Sequence, residues 1–201
     1  MKAVVINCTL KPSPEPSNTG ALTEIVVGEL EKRGVDVHQI RAVDHDIKPG
    51  VQTDMGEGDA WPDIHRRLVE SEILVIASPT WAANPCSIAQ RVLERMDAML
   101  SETDDDGRPI CFNRVAGVVV TGNEDGAHHV IGQIQHSLNE FGYTVPGQAW
   151  TYWNQGPGPG SSYLDSDAGK DWSASTGRAM ASNLVAAAEA LAARPIPAPP
   201  S

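Results

Sequence analysis

The sequence has 201 residues, of which 41% are hydrophobic, which is enough for one domain with a substantial core. The formal net charge of −11 argues against a nucleic-acid partner and against binding to an anionic membrane surface. The cysteines, Cys8, Cys86 and Cys111, form no C-x-x-C pair, which argues against a zinc or iron–sulfur module and is typical of a reducing compartment. With no signal peptide and no apolar run of about 18 residues, the sequence predicts a cytoplasmic protein that does not cross a membrane.

Apolar runs and helical spacings alternate along the chain. Five strands are predicted, at residues 3–6, 35–40, 72–77, 115–121 and 143–150. Five helices are predicted between and after them, near residues 21–33, 61–71, 86–100, 128–141 and 171–194. This alternation predicts an α/β domain, a three-layer, doubly wound, five-stranded parallel sheet over residues 1–194, with a proline-rich tail at 195–201. Ligands of such sheets bind at the carboxyl ends of the strands, so the loops there are the candidates for a site.

The first loop, residues 7–23, joins the first strand to the first helix. It offers hydroxyls at Thr9, Ser17 and Thr19, the amide of Asn18 and the cation of Lys11. Unpaired N–H groups and a partial positive charge at a helix start suit a phosphate. Simple helix capping by Ser17, Asn18 or Thr19 explains the same residues, and the loop alone does not decide between the two. The fingerprints G-x-G-x-x-G and G-x-x-x-x-G-K-[ST] are missing, which narrows a ligand to one with a single terminal phosphate.

Two later loops offer other chemistry. After the third strand, S-P-T-W-A-A-N-P places Trp81 beside backbone N–H groups, which suits a planar heterocycle, although Trp81 could instead fill a gap over the next helix. After the fourth strand, Gly122 and Gly126 permit close backbone approach, and His128 and His129 follow at a helix start. We predict no metal, because these histidines do not converge and the acidic run at 104–106 is typical of a solvated loop.

Three motifs together carry a family resemblance: S-P-T-W-A-A-N-P, T-G-N-E-D-G-A-H-H, and S-N-T-x-x-L at the start of the first helix. They resemble the flavodoxin-like FMN proteins, in the branch of NAD(P)H-dependent FMN reductases and quinone reductases. The resemblance spans nearly the whole chain. It implies strand order 2-1-3-4-5, non-covalently bound FMN, NAD(P)H as electron donor, and a homodimer or homotetramer. The first loop departs from the family because it is longer, contains three prolines, and has Lys11 where relatives often have an arginine.

The resemblance also implies which residues hold FMN. The phosphate would be held in the first loop, by Thr9, Lys11, Ser17, Asn18 and Thr19. The isoalloxazine ring and ribityl chain would lie against the loop after the third strand, at Pro79, Thr80, Trp81, Ala82, Ala83 and Asn84. The pyrimidine side of the ring would be covered by the loop after the fourth strand, at Thr121, Gly122, Asn123, Glu124, Asp125 and Gly126.

The implied function is an FMN-dependent oxidoreductase that transfers hydride from NAD(P)H through FMN to a small acceptor such as a quinone or a flavin. Because FMN would carry the chemistry, no catalytic side chain is required, and His128 is only a candidate for proton delivery. Tyr152, Trp153 and Tyr163 are candidates for the wall of a second-substrate pocket. Two alternatives are a flavodoxin-type electron carrier and a non-catalytic FMN-binding protein. The long loop at 151–169, which carriers rarely need, argues against a carrier.

Overall fold

The computed structural model describes residues 1–158 and 160–200. Its strands are β1 (Lys2–Asn7), β2 (Asp36–Arg41), β3 (Ile73–Trp81), β4 (Asn84–Pro85), β5 (Val115–Gly122) and β6 (Trp150–Asn154). Its α-helices are α1 (Asn18–Lys32), α2 (Trp61–Val69), α3 (Ser87–Met96), α4 (Ala127–Glu140) and α5 (Lys170–Ala193). Short 3₁₀ turns cover Ala42–Asp44, Asp97–Ser101 and Tyr163–Asp165.

The main sheet runs in the order β2-β1-β3-β5-β6, and each neighbouring pair is parallel. The two-residue strand β4 only pairs antiparallel with the end of β3. With β4 set aside, this is the predicted order 2-1-3-4-5, and the predicted fold class is confirmed.

Helices cover both faces of the sheet because its central strands are apolar on both faces. Val4 and Ile6 of β1 pack into one core with α2, α3 and α4, whereas Ala3 and Val5 pack into a second core with α1 and α5. Because both faces are covered, the place for a ligand is the carboxyl edge of the sheet, where the connecting loops gather. Among the described helices, none combines the length and the apolar character needed to cross a membrane.

Two strand predictions were wrong in their bounds. Strand β3 continues past residue 77, because Pro79 still pairs with Thr121 of β5 and the chain then turns back in a hairpin to β4. The last strand is Trp150–Asn154, in the stretch predicted as a loop, whereas residues 143–149 form only one bridge to β5. The turn around Pro146 ends any ladder there, and the alternating aromatic and β-branched side chains of β6 suit a strand instead.

A buried ion pair fixes the long connection between β2 and α2. Arg95 donates to Asp59 across 2.7 Å, and both side chains are completely buried. Arg95 also donates to the carbonyl oxygens of Lys48 and Gln52 at 2.8 Å each. Because one guanidinium satisfies a carboxylate and the surrounding carbonyls, this segment is held in place without strands or α-helices of its own.

Candidate functional site

A pocket of about 190 Å³ lies at the carboxyl ends of β1, β3, β5 and β6. None of the described residues that line it is acidic, and its only charged side chain is Lys11, in a chain of net charge −11. The pocket therefore suits an anionic ligand, which local donors would hold although the net charge of the chain is negative. Its lining is Thr9, Leu10, Lys11, Asn18, Thr19, Pro79, Thr80, Trp81, Thr121, Gly122, Asn123, Trp153, Ser162 and Tyr163.

The start of α1 contributes to this pocket through Asn18 and Thr19. Ser17 is the N-cap, because its Oγ accepts a hydrogen bond from the Gly20 N–H at 2.9 Å, and Ser17 does not line the pocket. Capping therefore explains Ser17, while the first N–H groups of α1 have no partner within the helix. The Thr19 hydroxyl lies 2.7 Å from that of Thr121, and this buried pair joins the first loop to the end of β5.

The proline-bearing part of the first loop is attached to the end of β2. The Asp44 carboxylate accepts hydrogen bonds from the Ser13 N–H at 2.9 Å and from the Ser13 hydroxyl at 2.6 Å. These hydrogen bonds lower the pKa of the Asp44 carboxyl. Arg41 donates to the Glu15 carbonyl oxygen at 2.9 Å. The extra length of the loop thus has a structural attachment, which holds Lys11 beside the pocket.

The end of β3 places a hydroxyl and an aromatic ring at the pocket. Thr80 is only 3% exposed, and its Oγ1 has no hydrogen-bond partner among the described residues. A Cβ at Gly122 would lie 3.0 Å from the Thr80 Cβ, so glycine permits this close approach of β3 and β5. Trp81 is 54% exposed, so it does not fill a gap over the next helix.

Ten of the predicted binding residues line the pocket and seven lie beside it. The seven are Ser17, Ala82, Ala83, Asn84, Glu124, Asp125 and Gly126. Ala82 and Ala83 form the turn between β3 and β4 at positive φ, 48° and 59°. Gly126 meets this turn, because a Cβ at Gly126 would lie 2.8 Å from the Ala83 Cα. The hairpin and the loop after β5 therefore pack against each other at the rim of the pocket.

The candidate for proton delivery lies in a neighbouring cavity. His128 lines a space of about 230 Å³ with Asp125, His129, Tyr152 and Asn154. Its ring packs edge-on against Tyr152, with centroids 4.9 Å apart. The structure therefore separates His128 and Tyr152 from the main pocket, while the other predicted wall residues, Trp153 and Tyr163, line it.

Sequence reasoning missed Leu10 and Ser162 among the residues that line the pocket. Leu10 lies between two predicted residues, Thr9 and Lys11, so its neighbours could have indicated it. Ser162 lies in a polar stretch with no strand or helix pattern, and no local signal marks it. Its place depends on how the late loop folds back over the sheet.

The three cysteines are free and buried. Burial raises the pKa of Cys8 and Cys86, and it raises the pKa of Cys111 to about 12. Near neutral pH the thiols therefore stay protonated, and none has the low pKa of a nucleophilic cysteine. Cys86 instead caps α3 by accepting from the Ala89 N–H at 3.4 Å.

The sheet order and the pocket at its carboxyl edge define a flavodoxin-like protein. A flavodoxin from the domain Archaea has this fold, with a TM-score of 0.56 at 16% identity, over 92% of this chain and 99% of that one. Residues 1–158 match the family model of NADPH-dependent FMN reductases, so the chain belongs to that family. Membership confirms the predicted family, with FMN as cofactor and NAD(P)H as electron donor.

The relatives similar to this chain include two curated proteins and a further solved structure. The "divalent metal cation transporter MntH" of Mycobacterium bovis is 43% identical over 84% of this chain, which spans only 25% of that protein. The "8-demethyl-8-aminoriboflavin-5'-phosphate synthase" of Streptomyces davaonensis is 35% identical over 82% of this chain and 68% of its own length. The crystal structure of RosB with bound 8-demethyl-8-formylriboflavin-5'-phosphate has a TM-score of 0.90 at 32% identity, over 98% of this chain and 82% of that one.

The described residues fit FMN. The phosphate needs donors without competing carboxylates, and the pocket offers Lys11 and the start of α1. The polyol chain needs hydroxyl partners, and Thr80 offers a buried hydroxyl that has no hydrogen-bond partner among the described residues. The flat ring needs an aromatic or apolar wall, which Pro79 and Trp81 can supply.

Proposed function

We propose that the chain catalyses two-electron transfer from NADPH to a small acceptor such as a quinone or a free flavin. The observation that supports this proposal is the pocket itself, which combines the Lys11 cation with the start of α1 and the exposed Trp81. Among the residues that the structure describes, the pocket lining contains no acidic side chain, and the buried Thr80 hydroxyl has no hydrogen-bond partner. In such a reaction NADPH and a proton yield NADP⁺, and the acceptor gains two electrons and two protons.

FMN, when bound, supplies the redox chemistry, and the protein supplies position and electrostatics. Lys11, Thr9 and the start of α1 would bind the phosphate. Pro79, Thr80 and Trp81 would orient the rest of the ligand, opposite the residues from Thr121 to Asn123. Trp81, which is 54% exposed, would contact the second substrate at the open side of the pocket.

A second candidate function is chemistry on the flavin itself, with FMN as substrate. The observation that favours it is the TM-score of 0.90 over 98% of this chain with RosB, whose structure holds a riboflavin 5'-phosphate derivative altered at position 8. The similarity to the Streptomyces synthase points the same way. The two candidates share one binding site and differ in whether the flavin leaves unchanged.

One experiment separates these functions. The purified chain is incubated with FMN and NADPH under anaerobic conditions, with and without a naphthoquinone. A parallel incubation contains FMN in air with ammonium and a mixture of amino acids, because altering position 8 of the flavin needs an oxidant and a nitrogen donor. NADPH oxidation is followed by absorbance, and the recovered flavin is analysed by mass spectrometry. Quinone-dependent oxidation with unchanged flavin supports the reductase, whereas a new flavin mass supports the second candidate. Flavin binding without turnover supports a carrier or a non-catalytic protein, and failure to bind flavin overturns every candidate.

The Lys11 side chain gives a matched test of the phosphate position. We expect Lys11→Ala to weaken FMN binding by about 10- to 150-fold, because a charge-assisted hydrogen bond contributes about 1.5–3 kcal/mol. Riboflavin lacks the phosphate, so its affinity should stay the same. Lys32→Ala at the exposed end of α1 is the control and should change neither affinity. Equal losses for both flavins would contradict a phosphate contact of Lys11.

The homodimer or homotetramer and the cytoplasmic location remain predictions. Light scattering during gel filtration measures the oligomeric state directly. A monomer with full activity would contradict the predicted assembly.

A further inference from the structure

One wall of the pocket comes from outside the stretch that matches the family. The family match ends at residue 158, yet Ser162 and Tyr163 line the pocket. This wall is part of the late segment, residues 160–164. The similarity to RosB covers 98% of this chain and is therefore much more extensive than the family match.

Hydrogen bonds hold both ends of the late segment. The Gly160 N–H donates to the Asn123 carbonyl oxygen at 2.8 Å. The Leu164 N–H donates to the Asn18 Oδ1 at 2.9 Å. The segment therefore bridges from the loop after β5 to the start of α1, across one side of the pocket.

Aromatic packing anchors the middle of the late segment. Tyr163 is 6% exposed and packs edge-on against Trp153, with ring centroids 5.6 Å apart. The Lys170 ammonium lies 5.3 Å from the centroid of the same Tyr163 ring. The Trp153 indole N–H donates to the Ala168 carbonyl oxygen at 2.6 Å, which fixes the residues that follow. The segment is thus held as a wall next to the pocket.

Asn18 was expected to bind the phosphate, whereas Ser162 had no role in the sequence prediction, and the structure changes both assignments. The side-chain oxygen of Asn18 already accepts a hydrogen bond from the late segment, so this oxygen is engaged within the protein. Ser162 lines the pocket, and among the described residues its only hydrogen bond is made by its backbone carbonyl oxygen, which accepts from the Asp165 N–H at 3.0 Å. A hydroxyl that can both donate and accept matches the hydroxyl groups of a polyol.

We propose that the Ser162 hydroxyl binds the ribityl chain of the flavin and that Asn18 is a positioning residue that holds Ser162 there. This proposal rests on the proposed function, because it requires a flavin in the pocket. The late segment is fastened at Asn18, on the phosphate side, and at Asn123, on the ring side. Ser162 lies between these two points, beside the stretch that connects phosphate and ring.

The test measures the dissociation constants of FMN and of riboflavin by fluorescence titration. We expect Ser162→Ala to weaken both flavins by a similar factor, about 2- to 10-fold for one hydrogen bond. Ser161→Ala is the matched control, because Ser161 is the adjacent residue, is exposed and does not line the pocket. This control should bind both flavins like the wild type.

A double-mutant cycle tests the positioning role. Asn18→Ala should weaken both flavins about as much as Ser162→Ala does, and the double variant should lose little more than either single variant. This non-additive result is expected because Asn18 acts through Ser162. Thermal unfolding of the flavin-free variants checks that each one is folded.

Three results would overturn the proposal. Equal affinities of Ser162→Ala and Ser161→Ala would mean that Ser162 does not contact the flavin. A loss confined to FMN would mean that the hydroxyl binds the phosphate. Additive losses in the double variant would mean that Asn18 binds the ligand directly. Failure of the wild type to bind either flavin is a separate outcome, which refutes the proposed function as well.

Discussion

Removal of the unpaired Thr80 hydroxyl should raise the stability of the flavin-free protein and lower its affinity for FMN. Thr80 is 3% exposed, and its Oγ1 has no hydrogen-bond partner among the described residues. Thr80→Val replaces this hydroxyl by a methyl group of nearly the same size, on a strand where valine is favoured. The substitution therefore removes a polar group and leaves the shape of the pocket almost unchanged.

The two magnitudes follow from the burial of the hydroxyl. A buried polar group without a partner costs about 1–3 kcal/mol, so the flavin-free variant should gain about 1 kcal/mol in its free energy of unfolding. For a chain of this length that gain raises Tm by about 2–4 °C. Bound FMN loses one hydrogen bond of about 0.5–1.5 kcal/mol, which weakens its affinity about 2- to 13-fold.

The assay combines thermal unfolding of the flavin-free protein with titration by FMN. Thr151→Val is the control, because Thr151 is completely buried and its hydroxyl is bonded to the Ser173 carbonyl oxygen at 2.8 Å and to Thr176 at 2.7 Å. This control should lose about 1 kcal/mol of stability and keep its affinity for FMN. A less stable Thr80→Val, or one with unchanged affinity, would refute the reasoning.

Two further substitutions test the close packing and the buried charge. Gly122→Ala should weaken FMN binding more than about tenfold in a titration, because the added Cβ would lie 3.0 Å from the Thr80 Cβ in the pocket. Gly132→Ala is the control and should bind FMN like the wild type, because its added Cβ meets nothing within 4 Å. Equal affinities of these two variants would contradict the proposed crowding. Arg95→Met should lower the free energy of unfolding by about 3–5 kcal/mol in urea, because it leaves the buried carboxylate of Asp59 uncompensated. Burial opposes ionisation of Asp59, but hydrogen bonds from Arg95 and from backbone N–H groups lower its pKa below the ordinary value. The ion pair therefore contributes to the stability of the fold above about pH 4, and this contribution is lost as the pH falls. The difference between Arg95→Met and wild type should therefore shrink in acid, and a constant difference would point to lost packing alone.

Local patterns were sufficient for most of the fold. The apolar run at the start of β3 and the helical spacing in α1 predict their elements because burial on a sheet or a helix requires those periods. The first helix begins at Asn18, ahead of the apolar spacing that predicts it near residue 21, and Ser17, one of the predicted capping residues, is its N-cap. The predicted bounds of the last strand are wrong, because residues 143–150 also carry apolar and aromatic side chains, while the alternation that marks Trp150–Asn154 covers only 5 residues. A short aromatic strand next to a turn has too few residues for periodicity alone to place it.

Short-range patterns and the family's motifs predict the parallel sheet, its carboxyl-edge loops and most of the residues that line the pocket. Which of those side chains stay available to a ligand depends instead on contacts between distant segments of the folded chain. Thr19 pairs with Thr121, 102 residues further on, and Asn18 binds the backbone of Leu164 at a separation of 146 residues. Among the residues that the structure describes, no partner lies within hydrogen-bond distance of the Thr80 hydroxyl, and Ser162 lines the same pocket. A hydrogen bond between distant segments leaves no local periodicity in the sequence, so such roles become visible only after the chain has folded.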